Sequence, residues 1–459
     1  MHANGAIAVL FEDYSVSLGT LGAGAGERVA ELRTGLPLSS LVPGSPKLDK
    51  AFELLLRRLA GHGLLEYRVE RAESGEELAI IEPQVLGYWP QIPELAGGDM
   101  LVLSRFAYMR RRGNEMVLES PLAAALFRIR DPKLASLVAE LSGPLRVKQI
   151  QQQDGFPGIE FLALLADCRI LFKGDTRPEA NPRLAEGDHD LALWDFHDLL
   201  FHTRSTEGRH ANPIGGVYPH SGIIPPLPAV RPSWPGKQID LCTFLEPSSQ
   251  ANPVAKLLRE RHSTRDFDDR QPITLAELAR FLDAAARIMP QSGGDRSSAG
   301  NGPEAVRPYP SAGASWELEL YLAVNICEGL PQGFYHYDAA THALVPIDVP
   351  AIEVRTLLMG AATSMGVAKA PQILITIAAR FGRISWKYSS VAYSLILKDV
   401  GVLSQTLYLM ATGMGLGGCA IGLANIDQFA KMAGIAFHIE GPVGQFALGR
   451  GMTTRASDW

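Results

Sequence analysis

Arg261-His262-Ser263-Thr264-Arg265-Asp266-Phe267 is the stretch whose reading decides the fold, and it follows the amphipathic run Val254–Arg259. On an extended backbone alternate side chains fall on one side, so Arg261, Ser263 and Arg265 converge. Guanidinium groups bind phosphate or carboxylate bidentately, which makes this an anion site or an exposed charged strand end. Three downstream segments favour the anion site. Tyr309-Pro310-Ser311-Ala312-Gly313-Ala314 is a small-residue turn before the apolar strand Leu318–Val324, where a flat ring can approach the backbone. Leu416-Gly417-Gly418-Cys419-Ala420-Ile421-Gly422 reads as a second such loop, after a long apolar helix. Phe446-Ala447-Leu448-Gly449-Arg450-Gly451 reads as a short buried strand delivering an arginine.

Around this half, the composition sets bounds. At 459 residues the chain suggests two or three domains of about 150 residues. Its 43 Lys+Arg against 49 Asp+Glu give a net charge of −6, which argues against a nucleic-acid partner. With 46% hydrophobic and 20% charged residues it is neither disordered nor fibrous. Cys168, Cys242, Cys327 and Cys419 form no CxxC pair, so no zinc site or disulfide framework is signalled. Met1–Ala8 carries no Lys or Arg, so the basic region of a signal peptide is missing and a cytoplasmic location is expected. Ser389–Met414 is apolar but interrupted by Lys398, Asp399, Ser404 and Gln405, which reads as a buried helix rather than a membrane span.

The first half reads as two similar modules. Ser45-Pro46 starts a helix carrying Leu48, Phe52, Leu55, Leu56 and Leu59, ended by Gly61 or Gly63. Leu65, Tyr67 and Val69 then alternate as a strand, with Leu78, Ile80 and Ile81 as its return partner. Asp131-Pro132 starts a second helix with Leu134, Leu137, Val138 and Leu141, and Gly158–Ala166 leads into Cys168, Ile170 and Phe172. Helix followed by ribbon resembles a winged helix. The roles open to such modules are DNA binding through Arg110, Arg111 and Arg112, dimerisation or packing, and capture of an extended peptide. His210–Pro235 holds seven prolines and should run extended over the surface. The expected domains are 1–95, 96–190, a linker at 191–250, and 251–459.

Some signals carry little. Gly22-Ala23-Gly24-Ala25-Gly26 lacks the Lys-Ser/Thr of a phosphate loop. His197, His202, His210 and His220 follow no metal-ligand spacing, so no metal is expected. The serines lack a nucleophile elbow.

From Pro253 to Gly451 the chain resembles the flavin-dependent nitroreductase superfamily, homodimers with FMN at the subunit interface. The resemblance implies an α+β fold: a mixed sheet with helices in an intertwined dimer, here preceded by the two winged-helix-like modules. It implies that Arg261, Ser263 and Arg265 bind FMN with His262 beside them, and that Pro310, Ser311, Ala312 and Gly313 pack along the isoalloxazine. Leu416, Gly417 and Gly418 would approach its N5–O4 edge, Arg450 the phosphate, and Ser389–Thr412 would be the dimer helix.

Within that superfamily the chain is similar to the SagB-type azoline dehydrogenases, which oxidise thiazolines and oxazolines in ribosomal peptides. Phe196-His197-Asp198-Leu199-Leu200-Phe201-His202-Thr203-Arg204-Ser205 resembles their lead-in block, and Lys387-Tyr388 their catalytic pair. The fused N-terminal half looks most like the cyanobactin oxidases. Aromatising an azoline removes a hydride and a proton from adjacent carbons; flavin N5 takes the hydride, but the proton needs a base. An unperturbed lysine amine titrates at about 10.4, so Lys387 must be desolvated or set near cations to serve, as under an apolar roof from Trp386. Tyr388 either relays the proton or is itself the base. Without the family context, Lys387 caps a helix and Tyr388 is core.

The resemblance therefore implies an FMN-dependent azoline dehydrogenase with oxygen as electron acceptor. Its partners would be a heterocyclised precursor peptide, a second copy of the chain and a cyclodehydratase, with no nucleic acid and no membrane. The alternatives are an NAD(P)H-dependent nitro or enone reductase and a catalytically inactive peptide-binding scaffold.

Overall fold

A computed structural model describes residues 6–10, 15–20, 31–32, 34–41, 49–71, 74–153, 155–174, 183, 186, 188–210, 214–231, 233, 235–245, 252–289 and 306–452. The chain divides into two compact units, Met1–Asp188 with Gly208–Ala211, and His189–Glu207 with Asn212–Trp459.

In the first unit, β1 (Ala6–Leu10) and β2 (Ser15–Thr20) form a hairpin. The following helix is Lys50–Gly61. Its Asp49 carboxylate accepts from the Phe52 N–H at 2.8 Å, meeting an otherwise unsatisfied donor of the first turn. The start expected at Ser45-Pro46 is thus corrected to Asp49, and Ser45 and Pro46 lie outside the described residues. Phe52, Leu55, Leu56 and Leu59 bury one helical stripe against Leu18.

The ribbon read from alternation is present as β3 (Tyr67–Glu70) and β4 (Glu77–Pro83). Beyond it lie β5 (Met100–Leu103), β6 (Tyr108–Arg112), β7 (Glu115–Glu119) and β8 (Ala125–Ile129). One sheet runs β3-β4-β8-β7-β6, so the boundary expected at residue 95 falls inside a sheet. On it Arg110 pairs with Glu119 at 2.6 Å and Arg112 with Glu82 at 2.5 Å, so these arginines are neutralised by carboxylates.

Pro132–Glu140 is a helix capped by Asp131, as expected, and is followed by β9 (Leu145–Arg146) and the helices Val147–Ile150 and Ile159–Asp167. Next, β10 (Leu171–Lys173) completes a second sheet, β10-β5-β9. Leu78 and Phe127 of the first sheet, Leu101 and Leu171 of the second, and Leu134 and Phe161 of two helices share one core.

The second unit contains the helices Phe196–Arg204, Pro253–Glu260 and Leu275–Ala286, then β11 (Leu318–Val324), β12 (Gly333–Asp338) and β13 (Ala343–Ile347). It continues through the helix Ala351–Met365, β14 (Ile373–Arg380), the helix Phe381–Ser385 and the long helix Ala392–Gly413. It closes with β15 (Gly417–Ile421), the helix Ile426–Ala433 and β16 (Glu440–Gly449). The sheet runs β13-β12-β11-β14-β16-β15, and every pairing in it is antiparallel, which corrects the expected mixed sheet. Hairpins join β11 to β12 and β12 to β13, and the later helices return the chain in the opposite sense.

Strand β16 is buried at every residue and longer than the strand expected at Phe446–Gly451. It tolerates Pro442 because the ladder to β14 shifts register there, sparing Pro a hydrogen bond it cannot donate. The long helix starts after the expected Ser389, because Ser390 sits at φ 65°. Residues 215–231 are exposed and lack helix and strand, as the prolines require. No helix among the described residues is long and apolar enough to cross a membrane.

Candidate active site

Asn252 caps the helix Pro253–Glu260 by accepting from the Val254 and Ala255 N–H groups, and Arg261 ends it with its N–H on the Leu257 carbonyl at 2.9 Å. The chain then runs extended along the second unit. Its guide is Tyr408 on the long helix. The Tyr408 hydroxyl lies 2.8 Å from Ser263 Oγ and accepts from the Ala420 N–H at 2.8 Å, and the Arg261 guanidinium stands 5.1 Å from the ring centroid. Thr264 N–H donates to the Gly418 carbonyl at 2.8 Å, pinning the segment to β15. His262 and Arg265 remain exposed, with His262 Nδ1 3.0 Å from the Glu260 carbonyl oxygen.

Gly417 and Gly418 belong to a strand, which corrects the loop expected there. A Cβ on Gly417 would come 2.6 Å from Thr264 Cγ2, and one on Gly418 2.7 Å from Phe446 Cε1. These glycines serve close packing, and Leu416, Gly417 and Gly418 are all buried.

Arg450 follows β16 directly, and its Nη2 donates to Glu277 Oε1 at 2.6 Å. Burial raises the Glu277 pKa, but bonds from Thr274 and Arg450 outweigh it and hold the carboxyl below its ordinary value. Behind Arg450 the buried Gln372 acts as a staple: its Oε1 accepts from the Ile273 and Arg450 N–H groups at 3.0 and 2.9 Å, and its Nε2 donates to the Asp268 carbonyl at 2.8 Å. Phe267, paired with Gly451, completes the join between the arginine segment and the end of β16.

Opposite chemistry gathers at residues 310–316. Gly313 has φ 57°, and Ala314 and Trp316 are also left-handed, at 53° and 40°. Gly313 adopts this region freely, whereas Ala314 and Trp316 store strain that surrounding contacts must hold. Lys387 Nζ donates to the Gly313 carbonyl at 2.9 Å, and Tyr388 Oη packs against the Gly313 Cα. The sequence-predicted Lys-Tyr pair and small-residue turn therefore meet. Pro310 is exposed at this turn, while Trp386 is 62% exposed and forms no roof over the exposed Lys387.

Ser311 looks inward. Its Oγ lies 2.9 Å from Asp399 Oδ2 and 3.2 Å from Glu317 Oε2, and it accepts from the Trp316 N–H at 2.9 Å. Asp399 Oδ2 also accepts from the Ala312 N–H at 2.8 Å. Burial, and then the Asp399 charge, push the Glu317 carboxyl up to about 7. Two buried carboxyls meeting at one hydroxyl favour holding a proton between them. This pair, Gln372 and Tyr408 were not singled out from sequence; Asp399, one of four polar interruptions noted in the long apolar helix, was the visible signal.

Residues 258–450 match the nitroreductase family, and residues 101–211 match the cyanobactin oxidase ThcOx family. "Putative nitroreductase MJ1384" from Methanocaldococcus jannaschii is 31% identical over 176 residues, covering 38% of this chain and 81% of that protein. Among solved structures, a nitroreductase-like protein from Ralstonia eutropha is 24% identical over 44% of this chain and 85% of its own, with a TM-score of 0.35. The E. coli microcin synthetase McbBCD complex with truncated pro-MccB17 bound is 20% identical over 58% of this chain and 97% of the matched chain, with a TM-score of 0.42. At these TM-scores neither likeness bears on function.

Proposed function

The chain belongs to the nitroreductase family, and from that premise we propose that it is an FMN-dependent azoline oxidase acting on a heterocyclised ribosomal peptide. The observation that carries the reading is the meeting of Lys387 and Tyr388 at the Gly313 turn, in a chain whose residues 101–211 match the cyanobactin oxidases. The donor set fits a flavin mononucleotide. Arg261, Ser263 and Arg265 project from one extended segment, and Arg450 stands at the end of β16. Guanidinium and hydroxyl groups match a phosphate and a ribityl chain, and the exposed Pro310 and Gly313 offer a low surface to a ring.

Bound flavin supplies the two-electron acceptor for the reaction. Lys387 and Tyr388 manage the ring proton: either group removes it, and the other holds that group in place. Ser311 and the Glu317–Asp399 pair fix the turn against which both side chains rest. Val254 and Leu258, 56% and 50% exposed on the helix leading into Arg261, suit burial against a second copy of the chain. In this reading the first unit engages the precursor peptide, and a cyclodehydratase supplies its azolines. Oxygen is the terminal acceptor.

The test is aerobic incubation with an azoline-containing peptide followed by mass. A loss of about 2 Da per ring, absent in Lys387→Ala and Tyr388→Phe proteins that still hold flavin, supports the reading. The nitroreductase relative favours one other reading, reduction of a nitro or enone compound with NAD(P)H. Rapid NAD(P)H oxidation with no change in peptide mass would support that one.

A further inference from the structure

The segment Asp195–Thr203 makes a set of contacts that its own helix does not require. Asp195 stands at the N-cap of the helix Phe196–Arg204, where an aspartate ordinarily accepts from its own first turn, yet it makes no such bond. Its Oδ2 accepts instead from the Ser390 N–H at 2.6 Å and the Ser389 hydroxyl at 3.1 Å. On the other side of that residue, His197 Nε2 lies 3.1 Å from the Ser390 carbonyl oxygen. Both backbone polar groups of Ser390, a left-handed residue at φ 65°, are therefore held by this one segment. Below it Asp198 Oδ2 accepts from the Tyr393 N–H at 3.4 Å, and the buried His202 Nδ1 lies 3.0 Å from the Tyr393 hydroxyl.

Lys387 and Tyr388 are three and two residues before this clamped position, with Lys387 exposed and Tyr388 half-buried. On their own side the two residues are tied by N–H bonds to the Ile384 carbonyl at 3.0 and 2.9 Å. A turn containing a strained left-handed serine opens readily unless its backbone is pinned from outside. We propose that Asp195 and His197 are positioning residues that hold the Lys387–Tyr388 turn in its working geometry. The inference rests on the reading of those two residues as the proton-handling pair. It also gives a physical role to residues 195–204, which lie in the second unit and within the stretch that matches the cyanobactin oxidases.

Hydrogen exchange and flavin reduction test the clamp together on the full-length, flavin-loaded protein. In Asp195→Ala, amides of residues 386–391 should exchange about ten- to hundredfold faster, the loss expected for a charge-assisted bond, with a melting shift of about 3–10 °C and retained flavin. Flavin reduction by an azoline peptide should slow by a similar factor and its pH profile should change. Asp195→Asn, which keeps an acceptor, should recover most of the rate that Asp195→Ala loses, and His197→Gln, which keeps a donor, most of what His197→Ala loses. Unchanged exchange at 386–391 in Asp195→Ala overturns the clamp. Faster exchange with a wild-type reduction rate and pH profile overturns its positioning role. If the wild-type flavin is not reduced by azoline peptide at all, the functional reading fails, and the exchange result alone still decides the clamp.

Discussion

Replacing Gly313 with alanine should separate catalysis from stability. The residue sits at φ 57° and ψ 26°, a region that costs an alanine about 1 kcal/mol. The new Cβ would stand 2.7 Å from Lys387 Nζ and closer still to Tyr388 Oη, well inside van der Waals contact. Both atoms are the far ends of flexible side chains, so they swing away rather than unfold the turn. The displaced lysine gives up its 2.9 Å bond to the Gly313 carbonyl but, being exposed, regains water, a net loss of about 0.5–1.5 kcal/mol. Stability should therefore fall by about 1.5–2.5 kcal/mol, a melting shift of about 3–10 °C. The rate should fall much further, since misplacing a catalytic group by about 1 Å can cost a hundredfold. Anaerobic stopped-flow reading of flavin bleaching by an azoline peptide, beside flavin content and a melting curve, measures both effects. A wild-type bleaching rate in Gly313→Ala would refute the claim that Lys387 and Tyr388 act where they now rest.

Other outcomes follow from the same geometry. Burial and the neighbouring Asp399 raise the Glu317 carboxyl to about 7, so the folded state binds a proton there that the unfolded state has released. Stability from this group is thus complete below the unfolded value of about 4.3 and is lost as pH rises through about 7; Glu317→Gln should flatten the melting temperature over this window, and an unaltered profile would count against the shared proton. Gln372→Ala leaves the Ile273 and Arg450 N–H groups without their acceptor and should cost about 2–5 kcal/mol in urea unfolding, with weaker flavin retention because Arg450 loses its anchor. Arg265→Ala should weaken flavin binding about ten- to hundredfold in a fluorescence titration, with little change in melting of the flavin-free protein.

The parts of the fold legible in the sequence were those governed by local rules. Asp131-Pro132, the alternation at Tyr67–Val69, and the small-residue turn before Leu318 appear where local chemistry places them. What failed depended on partners distant along the chain. Gly417 and Gly418 read as loop glycines because sequence cannot show Thr264 and Phe446 lying where their side chains would go. The sheet joining β4 to β8 crosses the boundary expected at residue 95, since the pairing of Ile81 with Phe127 is set by tertiary packing. Ser311 was read as part of a turn lying along a ring, and sequence could not show that two carboxylates, Glu317 just before β11 and Asp399 on the long helix, meet its hydroxyl. Lys387 and Tyr388 were visible only through the motif, and their contact with Gly313 needed the fold.

The most direct test of the central claim is a single anaerobic mixing experiment on the flavin-loaded protein, with azoline peptide in one syringe load and NAD(P)H in another. The account predicts that the peptide bleaches the flavin rapidly, that NAD(P)H does so slowly, and that Lys387→Ala abolishes only the first reaction while flavin stays bound. Rapid bleaching by NAD(P)H, with none by the azoline peptide, would contradict it.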